Sequence, residues 1–258
     1  MVAHLLLGFV AGVAVASVTA PVGVSGAVFM LPIQLSVLGV ANPAVTPTNL
    51  LYNVIAGPGA LFRYGRSGNG GGPLTRLLLA GTVPGVVVGA AVRVFLLPGP
   101  EAFRIVAGLV LLTLGAWLIG RIVSPPRDHR PLSARATVGL ALGVGVVGGV
   151  YGIGGGSILS PILVGSGSTL AVVAPAALAS TFVTSVIGAL TFAVLALFAP
   201  GSVAPDWPIG LACGLGGLVG GYFGARLQPH LPERALRLLL ACLALGLGGL
   251  YLIEGLIT

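Results

Sequence analysis

The sequence predicts an all-α integral membrane protein of two inverted repeats. Each repeat reads as a helical hairpin broken at a glycine motif, followed by three spanning helices. Three observations carry this. Apolar residues make up 56% of the 258 and charged residues only 7%, against roughly 25% charged residues in soluble domains. Apolar runs such as 77–92, 105–119 and 236–253 have helical length and no period-two alternation, which separates helical spans from barrel strands. Finally, a glycine-rich break, Gly152-Ile-Gly-Gly-Gly-Ser-Ile-Leu-Ser-Pro161, has a weaker copy in Gly23-Val-Ser-Gly-Ala-Val-Phe-Met-Leu-Pro32.

The copies align through Gly23 and Gly152, Gly26 and Gly155, Pro32 and Pro161, so the chain is an internal duplication. Its repeats cover 1–122 and 135–258, joined by a linker over 123–134. Five apolar segments fit in each: roughly 4–20, 26–40, 46–64, 76–97 and 103–121, then 135–151, 156–171, 176–198, 207–226 and 235–254. The glycine pairs Gly57/Gly188, Gly85/Gly216 and Gly89/Gly220 carry the correspondence further along the chain.

The first segment ends in a cleavage-like Ala-Ser-Val-Thr-Ala (16–20) but lacks a basic start, so it is read as retained. First segments of about 17 residues are borderline for crossing. Second segments of about 15 residues reach only about 22 Å, short of a hydrocarbon core of about 30 Å. Each first–second pair therefore reads as a hairpin that enters the membrane, breaks at glycine and returns. Backbone freed at such a break is tolerated at membrane depth only where it is buried in protein or lines a cavity. Segments three to five then cross.

Arginines orient the chain, whose net charge of +7 involves no lysine. Arg63, Arg66 and Arg76 flank the loop after segment three, and Arg121, Arg127, Arg130 and Arg135 fall in or beside the linker. Arg226, Arg234 and Arg237 follow segment nine, while loop 199–207 has none. Inverted repeats put all ten of these on the cytoplasmic side; parallel repeats split them. Both termini then face outward. Arg93, near the end of segment four, is expected to snorkel to the interface.

Candidate chemistry lies at the breaks. Glycine permits positive φ and close approach of backbone to a ligand, and a helix starting there aims free N–H groups at it. Gly23, Ser25 and Gly26 in the first repeat and Gly154, Gly155, Gly156 and Ser157 in the second are the motif positions. Ser25 and Ser157 are candidate caps. Gly143, Gly145, Gly148 and Gly149 read as helix-packing glycines. The third segments add Asn49 and Asn53, matched in the duplication by Ser180 and Thr184, with Thr181 beside them. Spaced i and i+4, these pairs share a helix face. They offer neutral donors to an oxyanion, or hydrogen bonds between helices.

The acids (Glu101, Asp128, Asp206, Glu233, Glu254) and histidines (His4, His129, His230) fall in loops or near segment ends. No proton relay, metal cluster or nucleophile–base pair is read at membrane depth, so no cofactor, no metal and no enzymatic reaction is expected. Cys213 and Cys242 read as packing residues.

The break with Pro161, its echo ending in Pro32, and Ala179-Ser-Thr-Phe-Val-Thr-Ser185 resemble the sulfite exporter TauE/SafE family of membrane permeases. So does Gly220-Gly-Tyr-Phe-Gly-Ala-Arg226 followed by Leu231-Pro-Glu-Arg234. The resemblance spans nearly the whole chain. The first motif departs from it, with Ser25 and Ala27 where Gly154 and Gly156 stand in the second. The resemblance implies a multi-pass protein of the cell membrane that moves sulfite or organosulfonates, often outward. Partners are then a small inorganic or organosulfur anion and the lipid bilayer, with no nucleic acid. A passive anion channel of the same architecture and a membrane-embedded sulfur-handling enzyme stay open as alternatives.

Overall fold

The computed structural model describes residues 2–22, 24–65, 72–97, 99–123, 132–166, 168–198, 203–227 and 233–257. These form ten helices and no strand among the described residues. The first five are α1 (Val2–Thr19), α2 (Ala27–Pro32), α3 (Val45–Gly65), α4 (Pro73–Phe95) and α5 (Pro100–Val123). The second five are α6 (Ala134–Tyr151), α7 (Gly156–Gly165), α8 (Leu170–Leu195), α9 (Trp207–Leu227) and α10 (Glu233–Ile257). By length and composition, α1, α4, α5, α6, α8, α9 and α10 are apolar enough to cross a membrane. The 21 residues of α3 are long enough to cross, but Thr46, Thr48, Asn49 and Asn53 make it more polar.

Local chemistry sets the boundaries. Ser133 caps α6, accepting from Ala136 N at 3.3 Å. Asp206 caps α9, its Oδ1 accepting from Ile209 N at 3.1 Å. Pro73 opens α4 three residues before the expected start, because its missing N–H would have no partner there anyway. Pro175 does not start α8 but lies inside it, five residues after the first. One lost ladder bond is tolerated in a helix this long.

The second segment of each half is shorter than expected. α2 continues as a π-helical stretch, Ile33–Val37, and stops before Gly39, whose φ of +68° ends it. α7 has ten residues. At 1.5 Å per residue the two reach only about 16 and 15 Å. Pro32 cannot donate to the carbonyl four residues back, Val28 O. That carbonyl instead accepts the Tyr151 hydroxyl from α6 at 3.1 Å.

Glycines govern the long packing. A Cβ at Gly81, Gly85 or Gly89 on α4 would lie 2.1 to 2.5 Å from carbonyls of Val138, Leu142 and Val146 on α6. At Gly216 and Gly220 on α9 it would lie 2.0 and 2.2 Å from Phe9 and Val13 carbonyls on α1. These contacts advance together along both chains, so α4 runs parallel to α6 and α9 to α1. The central pair runs the other way. Gly57 of α3 faces Phe182 of α8, and Leu50 faces Gly188. Likewise Gly108 faces Gly248, and Gly115 faces Leu245, making α5 and α10 antiparallel, with Arg104 3.6 Å from Glu254 across them. The main buried cluster draws together Met30 and Leu31 of α2 with Phe103 and Leu111 of α5 and Leu240 of α10.

Of the four glycines read as packing positions on α6, Gly145, Gly148 and Gly149 do pack: a Cβ would meet Thr82, Gly155 and Val86 at 2.8, 2.6 and 2.5 Å. Gly143 does not. It is exposed, with nothing within 4 Å of a Cβ.

Candidate functional site

The chain folds back at both breaks, by different devices. After α6, Gly152 takes the left-handed conformation with φ of +79°. Its N–H and that of Ile153 both close on Gly148 O, at 2.8 and 3.1 Å, an ending suited to glycine. Gly154 and Gly155 are also left-handed, at +74° and +81°. The returning chain presses on α8: a Cβ at Gly156 would sit 2.0 Å from Ala177 O and 2.3 Å from Thr181 Oγ1. The Gly154 carbonyl accepts the Thr184 hydroxyl.

The first break has no left-handed residue at Ser25 or Gly26, and Gly26 is α-helical at φ −57°. Here the cap position of α2 is Gly26, and the Ser25 hydroxyl just before it accepts from Ala27 N, the first N–H of the helix, at 3.2 Å. The same hydroxyl donates to Asn53 Oδ1 on α3 at 2.7 Å. One turn earlier Asn49 Nδ2 donates to Ala27 O at 2.9 Å. A polar chain thus ties α3 to the broken backbone.

Beside it lies a cavity of about 40 Å³, lined by Thr19, Ser25, Gly26, Tyr52, Asn53 and Thr181 among others. A single water needs about 10–15 Å³ by this measure, so the space admits a small ion or a few waters. Asn53 is 3% exposed and its Nδ2 has no protein partner. Tyr52 is fitted between glycines: a Cβ at Gly26 would fall 2.3 Å from its hydroxyl, and one at Gly217 would fall 2.6 Å from its ring.

The sequence candidates divide accordingly. Ser25, Gly26, Asn53 and Thr181 meet at the cavity. Gly154 and Gly156 face α8. Gly23 lies outside the described residues. Asn49 supports α2 from behind, with its Oδ1 unpartnered. Ser180 is engaged with Thr82 on α4 at 3.0 Å. Thr184 is not a free donor, because its proton is committed to backbone carbonyls of Gly154, Ser180 and Thr181. Ser157 is not a cap: its Oγ is buried without a protein partner.

Two residues depart from the sequence reading. Arg93 does not snorkel. It is fully buried, with Nε donating to Thr46 Oγ1 at 3.1 Å and the terminal nitrogens donating to Asn42 Oδ1 and Leu97 O. Its guanidinium lies 4.2 Å from the Phe103 ring centroid. Thr46 in turn donates to Val150 O at 3.3 Å, just before the second break. Tyr52 is absent from the sequence candidates because it reads as one more apolar-face aromatic. Its neighbour Asn53 and the facing Gly26 were the available signal.

A chain helical throughout its described residues, with seven apolar helices and a small cavity carrying a few neutral polar groups beside a broken helix, has the make-up of a membrane permease. The family model described as sulfite exporter TauE/SafE matches residues 7–251, and the chain belongs to that family. No curated protein and no solved structure matches it.

Proposed function

We propose that this permease carries small sulfur oxyanions, sulfite or a compact sulfonate, across the plasma membrane, binding them in the cavity at the first glycine break near the bilayer midplane. The observation that carries the reading is Asn53, which lines the cavity and whose buried Nδ2 has no protein partner. A buried donor left unpaired is costly, and an anion oxygen would pair it. Ser25, Tyr52 and Thr181 stand around the same space. Neither cysteine lines it, which supports transport without chemistry on the anion.

Two inverted repeats, 1–122 and 135–258, complete the reading. Its support is an exchange of partners: α1 lies along α9 as α6 lies along α4, and α3 crosses α8 antiparallel. A two-fold axis relating antiparallel spanning helices lies in the membrane plane, as in inverted-repeat transporters. The second motif is then the counterpart half-site, and access alternates as one part rocks around the cavity.

An uptake screen in proteoliposomes over sulfite, thiosulfate, sulfate and organosulfonates tests the function. With Asn53→Leu, affinity for the transported anion should fall roughly ten- to a hundredfold, as for loss of a hydrogen bond to a charged group. Unchanged uptake by a folded Asn53→Leu protein would move the site elsewhere.

A further inference from the structure

We infer that the cavity accepts its anion in a singly charged form and rejects doubly charged ones; this rests on the transport reading above and adds the charge state of what is carried. Among the described residues its lining holds no cation. Thr19, Ser25, Tyr52, Asn53 and Thr181 supply only neutral polar groups, and the remaining lining is aliphatic, phenyl or glycine.

Charges on the surrounding elements point elsewhere or lie at the ends. α2 and α8 carry no ionisable side chain. On α1, His4 is exposed in the first turn. On α9, Cys213 is buried against Gly8, Tyr222 is partly buried and Arg226 is exposed, while Asp206 caps the helix start. On α3, Arg63 and Tyr64 lie beyond the described side chains. Arg93 is turned to Asn42, Thr46 and Leu97, and does not line the cavity.

The cost of taking an ion out of water grows with the square of its charge, so a dianion costs about four times as much as a monoanion of the same size. Stabilisation by neutral dipoles grows only in proportion to charge. A site of neutral donors can therefore offset the first charge and fall short on the second. Phosphate- and dianion-binding sites commonly add arginine for this reason. An oxyanion with a titrating second proton would enter here protonated, so each one carried also moves a proton.

The test uses the purified full chain in proteoliposomes, with initial uptake followed for three probes across neutral pH. Methanesulfonate is monovalent throughout, sulfate is divalent throughout, and sulfite loses its second proton near neutrality. Methanesulfonate uptake should be flat with pH and sulfate uptake should stay at the protein-free background. Sulfite uptake should fall roughly tenfold per pH unit once most of it is dianion, with acidification of the lumen reported by a trapped dye. Sulfate uptake comparable to that of the other probes, or sulfite uptake that does not change with pH, would overturn the inference and leave the transport reading standing. Uptake of none of the three would overturn both.

Discussion

At the residue scale, glycines of one motif do different jobs, and the geometry ranks them. Gly156 leaves no room for a methyl, its Cβ position lying 2.0 Å from the Ala177 carbonyl. Gly155 has room, the nearest atom being Thr82 Cγ2 at 3.4 Å, but its φ of +81° penalises any side chain. The constraint from the protein at Gly155 is therefore conformational. Gly156→Ala should lower the detergent-solubilised melting temperature most, by the overpacking of about 1–3 kcal/mol. Gly155→Ala should cost about 1–2 kcal/mol, and Gly143→Ala should be silent. An inverted order in a thermal-shift series would show that α7 is not held as described. Tyr52→Phe makes a subtler test, since it keeps the ring between Gly26 and Gly217 and removes only the hydroxyl. The apparent KM for the anion should rise about tenfold with melting unchanged; an unmoved KM would mean the hydroxyl does not touch the anion.

At the scale of elements, apolar run length placed seven of the ten helices to within about three residues at each end. The exceptions are instructive. α8 begins six residues early, with Pro175 inside it, α2 gives way at Pro32 to a π-helical stretch that stops before Gly39, and α7 ends six residues short at Gly165, because composition did not separate these ends from the flanking apolar residues. Hydropathy says where a helix crosses but not which partner satisfies a polar group at its end. Arg93 shows this: a cation in the last turn of α4 suits the interface by pattern, yet it faces carbonyl and hydroxyl acceptors gathered from α3, the residues just after α4 and the loop between α2 and α3. The cavity was half legible for the same reason. Ser25 and Asn53 stood out as polar residues in apolar runs, whereas the commitment of Thr184 to Gly154 depends on how closely α7 returns to α8. Arg93→Lys should destabilise the fold by several kcal/mol despite keeping the charge. One ammonium cannot serve three separate acceptors or stack flat on Phe103. A melting temperature within a degree or two of wild type would refute that account.

At the scale of the whole molecule, the prediction is one of sidedness. In a background with Cys213 and Cys242 replaced, a thiol reagent added outside intact cells should label Ser202→Cys and leave Gly70→Cys untouched. Both positions fall outside the described residues, and the expectation comes from arginine placement and the antiparallel crossing of α3 and α8. Labelling of both from one side would mean that the repeats are parallel.

The exchange of α1 and α6 between halves has a consequence for biosynthesis. The glycine-backed neighbour of α1 is α9, whose residues emerge from the ribosome some two hundred positions later. Through that interval α1 waits in lipid, or against the insertion machinery, with its docking stripe uncovered. Residues 1–122 expressed alone should therefore be degraded or aggregate, while coexpression with 123–258 as a separate chain should restore both. The nascent protein is completed by a late clasp rather than by the successive closing of finished halves.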